Sequence, residues 1–239
     1  SAAPTQAASD NSTKVATTEF VTRAVNETTG VNSFEANLVS GTIIPLYTFP
    51  NVPVKSTAAD ANPGSAGTCS AWSPDGKWLA VGITSTPFLA IYERNGKALT
   101  KLANVASIPG GMVSTVSWSS DGRFLTCGFD TASPWFCVYE RVGATFTKLT
   151  APATTPTGWV RGSSWSPDTR FLVVGHQSSP YISIYERTGT TLTKLANPAT
   201  LPSFNIDAVC FSPNGTLLTL GHVSSPFVST YQITYSASK

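Results

Sequence analysis

The sequence predicts an all-β fold assembled from four repeated units, and three observations predict it. The segments Trp72-Ser-Pro-Asp-Gly76, Trp118-Ser-Ser-Asp-Gly122, Trp165-Ser-Pro-Asp-Thr169 and Phe211-Ser-Pro-Asn-Gly215 recur at spacings of 46, 47 and 46 residues. A fixed period in this range marks stacked supersecondary units. Each copy continues the same way, with an apolar run ending in Gly, a short loop with Ser and Pro, and a second run ending in Tyr. The first three copies then read Tyr-Glu-Arg from Tyr92, Tyr139 and Tyr185 and reach a Lys-Leu pair at Lys101, Lys148 and Lys194. The composition agrees: 41% hydrophobic, 10% aromatic and only 12% charged, which places the chain among globular rather than disordered sequences. Aromatic and β-branched residues, Thr, Gly and Pro abound where helix formers are scarce.

The third copy shows how one unit is built. Residues 161–165 form a strand ending at Trp165. Ser166 to Thr169 turn the chain, Pro fixing φ and Asp168 bonding to its own backbone. Arg170 to Val174 form a second strand, closed by Gly175 where a tight turn or bulge is expected. His176 to Pro180 make a loop, Tyr181 to Tyr185 a third strand, Glu186 to Gly189 a turn, and Thr190 to Leu195 a fourth strand. Ala196 to Asn205 cross to the next copy. Four short antiparallel strands per period make the blade of a β-propeller. The second strands are nearly all apolar, as blades covered on both faces require. The fourth copy stops short of a fourth strand, and Gly41-Thr-Ile-Ile-Pro-Leu-Tyr47 reads like Gly189-Thr-Thr-Leu-Thr-Lys-Leu195. Residues 42–47 are therefore expected to complete the last blade, closing a ring of four blades over residues 40–236; because four blades leave a very narrow centre, a ring shared between two chains is the alternative.

Residues 1–35 form a separate region, with the repeat domain covering 36–239. Ser1 to Asp10 is small and polar and reads as an extended arm. A short helix is expected after it, with Thr17 as N-cap, Glu19 in the first turn, and Phe20, Val21, Ala24 and Val25 as one apolar stripe. Some ten helical residues are marginal alone, so the stripe calls for a partner surface, from sister chains or another subunit.

A net charge of +2 with scattered Lys and Arg gives no case for nucleic acid. No stretch reads as a membrane span or a signal peptide. Cys69, Cys127, Cys137 and Cys210 form no C-x-x-C pair, so no zinc site is expected. Cys127 and Cys137 stand symmetrically about a loop and could face each other, bridged or as buried thiols. Of seven Asp and six Glu, Asp75, Asp121 and Asp168 are turn residues of the repeat, and Glu93, Glu140 and Glu186 recur before Arg. A catalytic group need appear once, whereas a turn group appears in every copy. Within residues 36–239 Asp60, Asp130 and Asp207 remain, too dispersed for the paired carboxylates of a glycosidase. No enzyme, cofactor or metal is expected. His176 and His222 share one repeat position, where Ile83 and Phe129 stand in the other copies. They read either as a pair of ligand-binding imidazoles or as loop residues bonded to the Ser-Ser that follows. The loops after the second strands and the blade crossovers should emerge on one face. Trp135, Trp159, Tyr181 and Phe204 lie there beside Asp130, Arg161, His176 and Gln177, a set suited to stacking on sugar rings or to a protein contact. Each aromatic could equally pack its own loop.

The four Trp/Phe-Ser-Pro/Ser-Asp/Asn motifs resemble the WD40-like β-propeller repeat over residues 68–235. The chain departs from that family in lacking its Gly-His and Trp-Asp dipeptides, so the family's Asp–His–Ser/Thr–Trp hydrogen-bond set is not carried over. Asn11-Ser-Thr-Lys-Val-Ala-Thr-Thr-Glu-Phe-Val21 resembles a short motif of bacteriophage tail fibres, an oligomerisation or connecting element usually of trimeric appendages. That resemblance implies a virion protein made in the host cytoplasm: a tail- or head-fibre subunit, homotrimeric, attached to other virion proteins by its arm. The propeller would then be displayed for adhesion to a host glycan or receptor. A structural decoration (cement) protein without a host ligand, or a free-standing lectin, are the alternatives.

Overall fold

The computed structural model describes residues 62–131 and 133–233, together with the backbone of 36–39 and 42–45. The described residues are all strand, turn and loop. Two compact units divide the chain, residues 1–55 and 56–239. In the first, β1 (Ala36–Val39) pairs antiparallel with β2 (Thr42–Pro45). The expected helix and its stripe Phe20, Val21, Ala24 and Val25 lie outside the described residues.

The second unit is the repeat domain. Blade 1 comprises β3 (Gly67–Trp72), β4 (Trp78–Ile83), β5 (Leu89–Asn95) and β6 (Ala98–Lys101). Blade 2 comprises β7 (Val113–Trp118), β8 (Phe124–Phe129), β9 (Phe136–Val142) and β10 (Thr145–Lys148). Blade 3 comprises β11 (Val160–Trp165), β12 (Phe171–His176), β13 (Ile182–Thr188) and β14 (Thr191–Lys194). Blade 4 has three strands, β15 (Ile206–Phe211), β16 (Leu217–His222) and β17 (Val228–Gln232). Every sheet is an antiparallel meander in chain order.

The repeated motif is a hydrogen-bonded turn. The Ser73 hydroxyl donates to the Asp75 carboxylate and accepts the Trp78 amide at 2.9 Å, while Asp75 also accepts the Lys77 amide. Ser119 with Asp121, Ser166 with Asp168 and Ser212 with Asn214 repeat that set. Asp75 is accordingly held below the usual carboxylate range, first by Ser73 and then by the Lys77 amide. The Glu of each Tyr-Glu-Arg pairs across the sheet with the cation opening the second strand: Glu93 with Lys77, Glu140 with Arg123, Glu186 with Arg170. The Tyr holds the crossover, Tyr139 donating to the Ser107 carbonyl at 2.6 Å and Tyr185 to that of Thr154. Repetition of these residues thus has a structural cause.

Blades pack in series through their first strands, β3 on β7, β7 on β11 and β11 on β15. Each junction is an apolar cluster with a side chain seated against the preceding blade. Phe146 meets Trp78 edge-on at 5.9 Å between blades 1 and 2, and Trp165 stacks on Phe124 at 5.8 Å between blades 2 and 3. Glycine makes room for the close approach. A Cβ at Gly82, Gly128 or Gly175 would fall within 2.7 Å of a methyl of Val113, Val160 or Ile206 on the next blade. The third junction keeps a groove of about 560 Å³ lined by Phe171, Phe211, Leu218, Tyr231 and Ile233. Phe146 and Leu192, from the fourth strands of blades 2 and 3, join the first two clusters; blade 4 brings no such strand.

Two expectations are corrected. The last sheet ends at β17, and Thr42–Pro45 pairs with Ala36–Val39 rather than forming its fourth strand. Nor, among the described residues, do blades 1 and 4 pack on each other, and Trp72, Leu217 and Val228 on their outward faces are exposed. The repeats form an open arc.

Candidate functional site

The first strand of every blade carries a β-bulge at one place, between Gly67 and Cys69, Val113 and Thr115, Val160 and Gly162, and Ile206 and Ala208. A bulge re-aims its side chain out of the ladder. The residues so turned, Thr68, Ser114 and Arg161, each reach the next blade. Thr68 donates to the Val113 carbonyl, Ser114 to that of Val160 at 2.6 Å, and Arg161 lies 3.9 Å from the Asp207 carboxylate. Arg161, expected as a ligand contact, thus occupies a blade-linking position and pairs with Asp207.

The loops after the second strands share one design. Each has a cis peptide before Pro87, Pro134, Pro180 or Pro226, followed by an aromatic residue at φ between 61° and 66°: Phe88, Trp135, Tyr181 and Phe227. Phe88, Trp135 and Tyr181 lean onto the cluster between their own blade and the next. Trp135 and Tyr181 are therefore repeat residues, a role already visible in Phe88 and Phe227 at the same positions. The second loop holds one residue more than the others, which is the source of the 47-residue spacing. Asp130 lies in that longer loop and accepts the Thr131 hydroxyl at 2.9 Å.

Trp159 and Phe204 behave differently. They stand on crossovers, 41% and 39% exposed, and no other blade carries an aromatic at either position. The Trp159 carbonyl accepts the Gln177 amide at 3.1 Å, fixing Gln177 beside it. Trp159 lies two residues before Arg161 and Phe204 three before Asp207, so the ion pair ties the two segments together. The structure thus brings Trp159, Gln177, Phe204, Arg161 and Asp207 to adjoining rims of blades 3 and 4. Asp130 and Trp135 belong to blade 2. Both larger grooves lie elsewhere, the apolar one at the third junction and one of about 620 Å³ along β10 and β14.

His176 is no loop residue. It ends β12, is buried, and its Nε2 lies 3.2 Å from the Ser183 hydroxyl. Burial pulls its pKa down to about 4. His222 ends β16 and is also buried, with no hydrogen-bond partner at either ring nitrogen among the described residues. No group of three or more His, Cys, Asp or Glu among the described residues could hold a metal ion. Cys127 and Cys137 face each other across β8 and β9 as buried free thiols, with burial pushing Cys127 up.

One repeat unit is identified by its sequence. Residues 103–132 match the WD domain, G-beta repeat family. The matched WD40 repeat spans the crossover into blade 2 and its first two strands. No curated protein sequence matches the chain. Among solved structures, the chain is similar to one in the crystal structure of the mitotic checkpoint complex (TM-score 0.55, 19% identity, 70% of this chain and 50% of that one). It is also similar to a Bacteroides uniformis protein provisionally named a 6-phosphogluconolactonase (TM-score 0.57, 18% identity, 83% and 59%). A third is Kuenenia stuttgartiensis hydrazine synthase (TM-score 0.54, 14% identity, 68% and 57%). At these identities the likeness concerns the propeller fold alone. The chain spans between half and three-fifths of the length of these neighbours.

Proposed function

We propose that the chain is a non-enzymatic subunit of a phage virion appendage, a tail or head fibre, whose WD40-like repeats serve adhesion to the host surface. The observation that carries this reading is the segment Asn11-Ser-Thr-Lys-Val-Ala-Thr-Thr-Glu-Phe-Val21 joined to a repeat domain. A repeat scaffold holds its shared residues for folding, so recognition falls to those that differ between copies. Trp159 and Phe204 are the aromatic residues on the rim that, among the described residues, meet that condition while exposed. Together with Gln177 and the Arg161–Asp207 pair they suit a sugar ring, which offers one face for stacking and hydroxyls for hydrogen bonds. Residues 1–35 would gather sister chains as a homotrimer through Phe20, Val21, Ala24 and Val25 and attach them to other virion proteins.

The test is binding of the purified full chain to intact bacteria and to a glycan array, beside Trp159→Ala and Phe204→Ala. Each substitution is expected to weaken binding at least tenfold with the circular-dichroism spectrum unchanged. A full chain that binds assembled particles but neither cells nor glycans would replace adhesion by the decoration role.

A further inference from the structure

The blade-to-blade junction is made three times in this chain, and at the two ends of the arc its halves stand uncovered. On blade 4, Leu217 and Val228 are 42% and 58% exposed. Their counterparts Trp78, Phe124, Leu89, Phe136 and Ile182 are buried against a following blade and Phe171 partly so. The notch at Gly221 is open too, since a Cβ there would meet Ala208 of its own blade and nothing beyond. On blade 1, Trp72 is 47% exposed, whereas Trp118, Trp165 and Phe211 are buried against the blade before them. Leu79, Val81 and Leu99 beside it are only half covered.

These two faces complement each other. At the second junction the Trp165 Nε1 donates to the Thr126 hydroxyl at 2.9 Å and its ring stacks on Phe124. Blade 4 carries Thr219 at the place of Thr126 and Leu217 at that of Phe124, and blade 1 carries Trp72 at that of Trp165. At the first junction Ala80 holds that place and Trp118 Nε1 donates instead to the Ala71 carbonyl at 3.1 Å, while at the third Val173 faces Phe211, which needs no acceptor. Blade 4 thus repeats the receiving side of the second junction, and blade 1 carries the Trp that such a side takes.

We propose that two copies of this chain close head to tail into one ring. In it the outward face of blade 4 in each copy covers the outward face of blade 1 in the other, Trp72 lying on Leu217 and donating to Thr219. The occupant follows from continuity with the junctions already made. The pairing is independent of residues 1–35 and multiplies by two whatever number of copies they gather.

The test is the solution mass of the full chain by light scattering, beside Trp72→Asp and Leu217→Arg, each checked for unchanged secondary structure. Each substitution spoils one half of the junction at an exposed site and is expected to halve the mass. Mixing the two variants, which still own one intact junction between them, should restore a species of twice either mass. Masses unchanged by both substitutions would overturn the proposal. So would a monomeric full chain in which the Trp72 emission, taken by difference from Trp72→Phe, is blue-shifted and shielded from quencher, for the arc would then close on itself.

Discussion

Blade 2 and blade 4 are read from nearly the same text, yet one is covered on both faces and the other on one. In β8 all six residues from Phe124 to Phe129 are buried; in β16 burial alternates, with Leu217 and Thr219 facing out beside the buried Leu218 and Leu220. The sequence marks the difference. Outward positions held by Phe124, Phe136 and Val138 in blade 2 become Leu217, Val228 and Thr230 in blade 4. Smaller and more polar residues stand where fewer neighbours exist, though Leu and Val are retained. Burial in this fold belongs to the junction and not to the strand, so one substitution should have unequal consequences in different blades.

Phe124→Ala is the strongest way to break that comparison. The ring is buried between Trp165, Leu192 and the Arg187 guanidinium, 4.7 Å away. Its removal should cost about 3–5 kcal/mol through lost burial and the cavity left behind. Leu217→Ala, at the same repeat position, should cost under about 1 kcal/mol for a chain held monomeric. Urea unfolding of both variants decides it; equal losses would mean that blade 4 is covered as blade 2 is.

A second contrast lies at the end of the second strand, where blade 2 has Phe129 and blade 3 has His176. Burial holds the His176 pKa at about 4, against 6.5 for an exposed imidazole. The fold therefore keeps the neutral ring, and protonation favours the unfolded chain. Its contribution is whole above pH 6.5, is lost as the pH falls from there towards 4, and changes no further below. A shift of this size is worth at most about 3 kcal/mol. His176→Phe, copying blade 2, should flatten that part of the stability–pH curve, read as denaturation midpoints between pH 7 and 4. A curve of unchanged slope would show that another group carries the acid sensitivity.

How much of this could be read in advance divides along the same line. The turn residues and the four strands of the first three blades follow from local chemistry repeated in each copy and are where the sequence placed them, whereas the pairing of Glu93, Glu140 and Glu186 with the cation of the second strand emerges only from the sheet register. Trp135 and Tyr181 read in the sequence as ligand contacts, although Phe88 and Phe227 occupy the same loop position and a repeated aromatic is a packing residue. The bulge that sends Arg161 to the next blade leaves no such mark, since Thr68, Ser114 and Asp207 share its position without sharing its chemistry. Closure was least legible. Gly41 to Tyr47 carries the pattern of a fourth strand, but a seven-residue pattern does not say which edge it joins, and β2 joins β1. Whether an arc closes depends on the angle between blades, which no single repeat encodes.

The smallest effect concerns the turn itself and separates the third copy from the rest. Gly76, Gly122 and Gly215 hold φ at 63°, 66° and 73°, and Thr169 holds 61° at the same place. A β-branched residue in that left-handed region costs about 1–2 kcal/mol. Thr169 gains something in return, since its hydroxyl accepts a bond from Arg187 Nη2 at 3.2 Å while its carbonyl accepts one from Nε at 3.0 Å. Gly122→Thr imports the backbone cost into a turn where Arg141 already bonds the carbonyl, and should lose about 1–2 kcal/mol. Thr169→Gly removes the same cost but also the hydroxyl bond, and frees the unfolded chain. Its gain should therefore be smaller, under about 1 kcal/mol. Melting temperatures of the two variants test the asymmetry: a fall for Gly122→Thr that exceeds the rise for Thr169→Gly supports it. Equal and opposite shifts would assign the whole difference to the backbone and leave the Arg187 bond to the hydroxyl without weight.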